Sequence, residues 1–277
     1  METIQTSQDE APTLRWHRIQ EQVALTREEL EAGDGCHPDE AEVLGDYLEN
    51  DWNAQKAAET FTSPVLQEQD PFATLYRPWG LLSTALVELP ADRQKLVELL
   101  LAIQSILPLQ KVDWSQLPGW AAMWSDLYRL HFHGSADWEH WPTEEKAKLY
   151  GDFTNRGAAE AEMFLRGIAG VPVRWGYETL SLICSRRPGL DCFIFQVHAW
   201  LKVAGSRLKA ELDSEKRTTL RGFRYNARGR RMASPCQTMI EHWNEWQQFL
   251  SELRSERSSL PFEGRKLAEE CLTMMEQ

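Results

Sequence analysis

The sequence predicts an all-α fold, an irregular bundle of about ten helices around a buried central helix at 190–212, and three observations predict it. Apolar residues recur at spacings of three and four along most of the chain; Leu190, Ile194, Val197, Leu201, Ala204 and Leu208 form one such seam. Proline and glycine mostly fall between the periodic stretches, where they end helices. No stretch combines period-two alternation with β-branched residues, and no self-similarity at about 34 or 40 residues marks a helical repeat. With 277 residues, 42% of them hydrophobic and twelve of them Trp, core material is ample. The expected organisation is a disordered tail at 1–11 and a single all-helical domain at 12–277 with a basic loop at 214–233.

Each element follows from its local signals. Pro12 opens a helix with Trp16, Ile19, Val23 and Leu30 on one side, stopped by Gly33-Asp34-Gly35. Pro38-Asp39-Glu40 starts the next, acidic where the helix dipole favours it, with Val43, Leu44, Tyr47 and Leu48 inward. A short helix through Ala57, Ala58 and Phe61 should end at Ser63-Pro64. Pro71 begins a helix containing Leu75, Trp79, Leu82 and Leu86, bent or interrupted around Pro78-Gly80. A core helix from Asp92 to Leu107 carries Leu96, Leu99, Leu100 and Ile103, and in the loop that follows Trp114 and Leu117 should plug the bundle end. Helices through Trp120–Leu130, Glu144–Ile168 and Arg174–Ser185 come next, the second holding Gly157, Ala158, Ala159 and Ala161, small enough for a close neighbour. The central rod of twenty-three residues spans roughly 34 Å at about 1.5 Å per residue. Ser234-Pro235 reads as the cap of a helix with Trp243, Trp246 and Leu250, and Leu260-Pro261 precedes a last one.

Four segments, taken in order, carry a resemblance to a known family. DYLENDWNAQKAAETFTSPV (Asp46 to Val65) reads as a helix, a polar turn and paired alanines ahead of a Pro. WSQLPGWAAMWSDL (Trp114 to Leu127) is a Trp-x-x-Leu-Pro lead-in to a helix; AWLKVAGSRL (Ala199 to Leu208) and HWNEWQQFLSEL (His242 to Leu253) follow. Together they resemble the fungal domain-of-unknown-function family 3632, with an arginine-rich stretch where that family has a glycine-rich lead-in to the Trp pair. The resemblance implies a fungal origin and a helical fold, and it carries no catalytic residues.

A net charge of −12 works against general binding to nucleic acid or anionic membranes. The most apolar stretch, Leu96 to Leu109, is broken by Glu98, Gln104, Ser105 and Pro108, so neither a membrane span nor a signal peptide is expected. Cys36, Cys184, Cys192, Cys236 and Cys271 are odd in number and lack CxxC spacing, which suits reduced thiols in a cytoplasmic or nuclear protein. His131, His133 and His140 with Asp137 and Glu139 have metal-ligand chemistry, but His131 and His133 cannot face one way on a helix and no HExxH is present. No metal and no cofactor is expected. No DDxxD run exists, and Asp46, Glu49 and Asp51 have the spacing of an exposed helix end. Walker, Rossmann, GxSxG and kinase signatures are absent too.

Two places could carry function. His198 on the central helix, read as a neutral core histidine, could with Trp200, Trp124 and Trp243 line an apolar pocket. In Lys216–Arg231, seven of sixteen residues are basic and none acidic. There Arg221, Arg224, Arg228, Arg230 and Arg231 form either a solvated loop paired with acidic helices or an anion-binding loop with Phe223 and Tyr225 to stack. The preferred reading is a non-catalytic interaction or scaffold protein with an unidentified protein or small-molecule partner, or an anionic one at 216–231. The alternative is a small-molecule-binding protein or an enzyme of specialised metabolism that uses a helix-lined aromatic pocket.

Overall fold

The computed structural model describes residues 23, 35–50, 52–108, 111–129, 141–184, 190–220, 224–225, 231–232 and 235–277, and of 224–225 and 231–232 the backbone. The described residues are overwhelmingly helical around packed cores. Contacts divide the chain into two compact units, 1–131 with 168–170, and 132–167 with 171–277.

In the first unit, α1 (Pro38–Glu49) starts with a reciprocal cap: His37 Nδ1 accepts from Asp39 N, and Glu40 Oε2 from His37 N at 2.9 Å. The helix expected between Pro12 and Gly33 lies outside the described residues apart from Val23, which makes an isolated parallel bridge to Cys36. α2 (Ala54–Gln67) does not end at Pro64 but runs through it. Phe61 and Val65, both fully buried on one face, hold the turn that the missing N–H weakens. The interruption expected near Pro78 falls at Leu75, between α3 (Pro71–Thr74) and α4 (Tyr76–Glu88). Pro78 thus stands in a first turn, where its N–H would have no intrahelical partner in any case. α5 (Arg93–Gln104) is tied to α1 by Tyr47 Oη donating to Lys95 O and Lys95 Nζ to Leu48 O, both at 2.9 Å. It stops short of Leu107, which is exposed. After a 3-10 turn at Trp114–Gln116 come α6 (Trp120–Trp124) and one π-helical turn, Ser125–Arg129.

In the second unit, α7 (Thr143–Leu165) and α8 (Val173–Leu180) precede α9 (Leu190–Ala210), the expected central helix. α9 packs along α7 on one side and α11 (Phe262–Glu276) on another, and α10 (Met239–Leu253) packs on α11. α7 and α9 approach closely at Gly157 of α7, where a Cβ would collide with the carbonyl of Gln196. Ile194, Val197, Trp200, Leu201, Ala204 and Leu208 lie in one core with Tyr177, Trp243, Trp246 and Leu250.

The segment at 214–233 departs from a plain loop. β1 (Arg217–Thr218) pairs antiparallel with β4 (Gln237–Thr238), and β2 (Arg224–Tyr225) with β3 (Arg231–Met232). Two-residue strands are too short to show a period of two. Ser234-Pro235 does not cap the next helix; Thr238 does, its Oγ1 accepting from Glu241 N at 3.2 Å while Thr238 N donates to Glu241 Oε2 at 2.7 Å. Ladder pairing of 237–238 shifts the start to the later T-x-x-E signal. Among the described residues no helix is long and apolar enough to cross a membrane.

Candidate functional site

The paired strands between α9 and α10 form a ribbon of the second unit with a well-anchored base. Asp213 Oδ1 accepts from Glu215 N at 2.7 Å and Lys216 N at 2.9 Å, turning the chain out of α9, and this holds its carboxylate below the usual range. Met239 N donates to Asp213 O, so both ends of the ribbon meet at one point. His242, buried in α10, reaches Thr218 O through Nε2 at 3.2 Å and stacks on Trp246. Arg174 of α8 donates from Nη2 to Thr219 O and from Nε to Glu178. Leu220 inserts into the core. Arg217, at the foot of the ribbon, is exposed; its guanidinium donates to Cys236 O and lies 3.7 Å from Glu241. Of the anticipated anion-binding residues, Arg224 and Arg231 occupy paired strands, and Arg221, Arg228 and Arg230 lie outside the described residues. Periodicity gave no sign of His242 and Arg174 as the ribbon's anchors; their roles depend on contacts across elements.

The four aromatic-pocket residues are distributed over the two units. Trp200 and Trp243 share the second unit's core, whereas Trp124 belongs to the first unit. Trp200 Nε1 donates to Oε2 of Glu160, a fully buried carboxylate on α7, at 3.0 Å. His198, half-buried, points its Nε2 to Glu270 Oε2 on α11 at 2.8 Å. Burial lowers its pKa more than Glu270 raises it, so the ring is neutral near neutral pH and donates that proton. This is the satisfied histidine anticipated from its position.

The strongest electrostatic perturbations serve structure. Burial raises Glu40 to about 8 against the opposing His37 amide and Arg77, and raises the Cys36 thiol to about 12, with Glu40 adding to it. Cys192 and Cys271 are pushed up further by burial, which makes these thiols poor nucleophiles. Tyr150 Oη donates to Asp191 at 2.8 Å and stacks on Phe195.

The first unit holds a second aromatic assembly. Trp79 Nε1 donates to Pro118 O at 2.7 Å, and the loop that supplies this carbonyl turns through Leu117 and Gly119, both at positive φ. Trp79 meets Trp114 and Trp120 edge-on, and Trp120, Trp124 and Tyr128 follow at helical spacing. Trp114 and Leu117, expected to plug the bundle end, are both buried.

His131, His133, Asp137, Glu139 and His140 lie outside the described residues, as does Asp51. Among the described residues no group of three or more His, Cys, Asp or Glu side chains is placed to hold a metal ion. No family model, no curated protein and no solved structure matches the chain.

Proposed function

We propose that this chain is a non-catalytic interaction protein that binds a phosphate-bearing polyanion through residues 216–231, presented on the antiparallel ribbon of the second unit. The observation that carries the reading is the ribbon itself. Its backbone-paired, core-anchored base flanks a stretch with seven basic residues and no acidic one in a chain of net charge −12. Six of the seven are arginines, whose planar guanidinium groups match phosphate oxygens in pairs, and Phe223 and Tyr225 are of the type that stacks on bases. Support from the other side comes from the described Glu40, Glu160 and His198, whose hydrogen bonds are those of caps and cores. With this reading go membership of the fungal family 3632, on the order of the four resembling segments, and a cytoplasmic or nuclear location, on the cysteine usage.

The test is fluorescence anisotropy with a single-stranded RNA oligomer, on the unaltered chain and on a variant with Arg221, Arg224, Arg228 and Arg230 all changed to alanine. Binding should be lost in the variant and should weaken with salt by about 0.7 logarithmic units per neutralised phosphate for each tenfold increase. Unchanged RNA binding by the fourfold variant would remove the ribbon from consideration. A phosphopeptide bound in preference to RNA would move the partner to a phosphorylated protein.

A further inference from the structure

We propose that Trp114, Trp79, Trp120, Trp124 and Tyr128 form a relay that carries an oxidising equivalent out of the first unit's core to Tyr128. The rings follow one another at centroid separations of 5.9, 5.6, 6.0 and 4.8 Å in that order. These are the separations of aromatic pairs in direct contact, so an electron passes from ring to ring without crossing an insulating side chain. All four indoles are fully buried, and Tyr128 is half-buried. The path therefore has an inside and an outside.

Two local features favour transfer over trapping. Trp120, Trp124 and Tyr128 stand four residues apart, and the π-helical turn at Ser125–Arg129 carries the last ring, a local widening of a kind common at functional sites. The indole N–H groups matter more. Trp79 donates to a peptide carbonyl, which is no base, and the buried Nε1 atoms of Trp114 and Trp120 have no hydrogen-bond acceptor among the described residues. An indole radical cation at Trp79, Trp114 or Trp120 meets no base among the described residues to receive its proton. It stays a cation, and a cation can take an electron from its neighbour.

The steps balance as follows. Ultraviolet excitation of a buried indole ejects one electron, which dissolved dioxygen takes up as superoxide, and the ring is left as a radical cation. Each hop refills that ring with one electron from the next, and no proton moves. At the end Tyr128 gives one electron to the Trp124 radical cation and releases its phenolic proton, which ends in bulk water. A neutral tyrosyl radical remains, every indole is restored, and a thiol or other one-electron hydrogen donor at the surface returns the phenol. The effect is to move oxidation from rings that the core cannot replace to one in reach of reductants.

The experiment is ultraviolet illumination of the full chain in air with a nitrone spin trap, followed by mass-spectrometric mapping of adducts and oxidised rings. The trap should label Tyr128 in the unaltered protein, and Trp120→Phe should lose most of that label although Tyr128 is retained. Equal labelling of Tyr128 in both would mean direct oxidation of an accessible phenol and would overturn the relay. Trp120→Phe removes buried volume, so Tyr128→Phe provides an independent reading at a half-buried site. It should shift covalent oxidation onto Trp124 and Trp120, and an unchanged pattern of indole oxidation would overturn the proposal by itself.

Discussion

Glu40 shows how one residue couples the fold to pH. Its carboxyl caps α1 from a buried position, and desolvation lifts its pKa from the ordinary 4.5 to about 8. The folded chain therefore holds a proton that the unfolded chain releases across this range. The contribution of Glu40 to stability is complete below about pH 4.5 and declines as pH rises towards about 8, where burying the charge costs on the order of a few kcal/mol. Glu40→Gln keeps a side-chain oxygen to accept from His37 N and removes the charge. We expect the variant to match the unaltered protein in acid and to exceed it in urea midpoint at about pH 9. A gap between the two that does not grow from about pH 5 to about pH 9 would show that Glu40 is solvated when ionised.

At the scale of elements, the contact between α7 and α9 carries the sharpest constraint. Alanine at 157 would gain about 1 kcal/mol in helix propensity, but its Cβ would meet the Gln196 carbonyl and Ala199 Cβ, and rigid backbone cannot yield as a side-chain tip does. Gly157→Ala should lower stability by on the order of 1–3 kcal/mol in denaturant unfolding; a neutral or stabilising result would mean that the helices stand further apart. This crossing was legible in the sequence, since Gly157, Ala158, Ala159 and Ala161 crowd one stretch of an otherwise large-residue helix, and so was α9, whose seam has unbroken helical spacing. Helix ends were less legible. Pro64 reads as a stop, yet burial of Phe61 and Val65 overrides it, and Leu107 continues an apolar pattern beyond the last helical turn. The ribbon was not legible, because strands of two residues leave no periodic trace and the pairing of β1 with β4 joins positions about twenty apart. As for the candidate residues, His198 satisfied by a partner could be anticipated from its place on a buried helix. That Trp124 lies in a different unit from Trp200 and Trp243 could not, because helical spacing says which residues share a face and nothing about which faces meet.

For the molecule as a whole, charge decides how the proposed contact must behave. The seven cations of 216–231 belong to a chain of −12, so the remainder carries −19. A polyanion docking on the ribbon feels short-range attraction from the arginines and longer-range repulsion from the rest. Added salt screens the longer-range part first: the screening length falls from about 30 Å at 0.01 M to about 10 Å at 0.1 M, whereas guanidinium–phosphate contacts act at a few ångströms. Rising salt should therefore first relieve repulsion while counterions released from the nucleic acid oppose binding throughout. A plot of log affinity against log salt for single-stranded RNA should be shallow or level at the lowest salt and steepen above about 0.1 M. The same plot for a peptide of residues 213–239, which lacks the acidic remainder, should be straight, and it should lie above that of the whole chain at low salt. A straight, equally steep line for the intact protein from the lowest salt upward would mean that the acidic surface does not face the ligand.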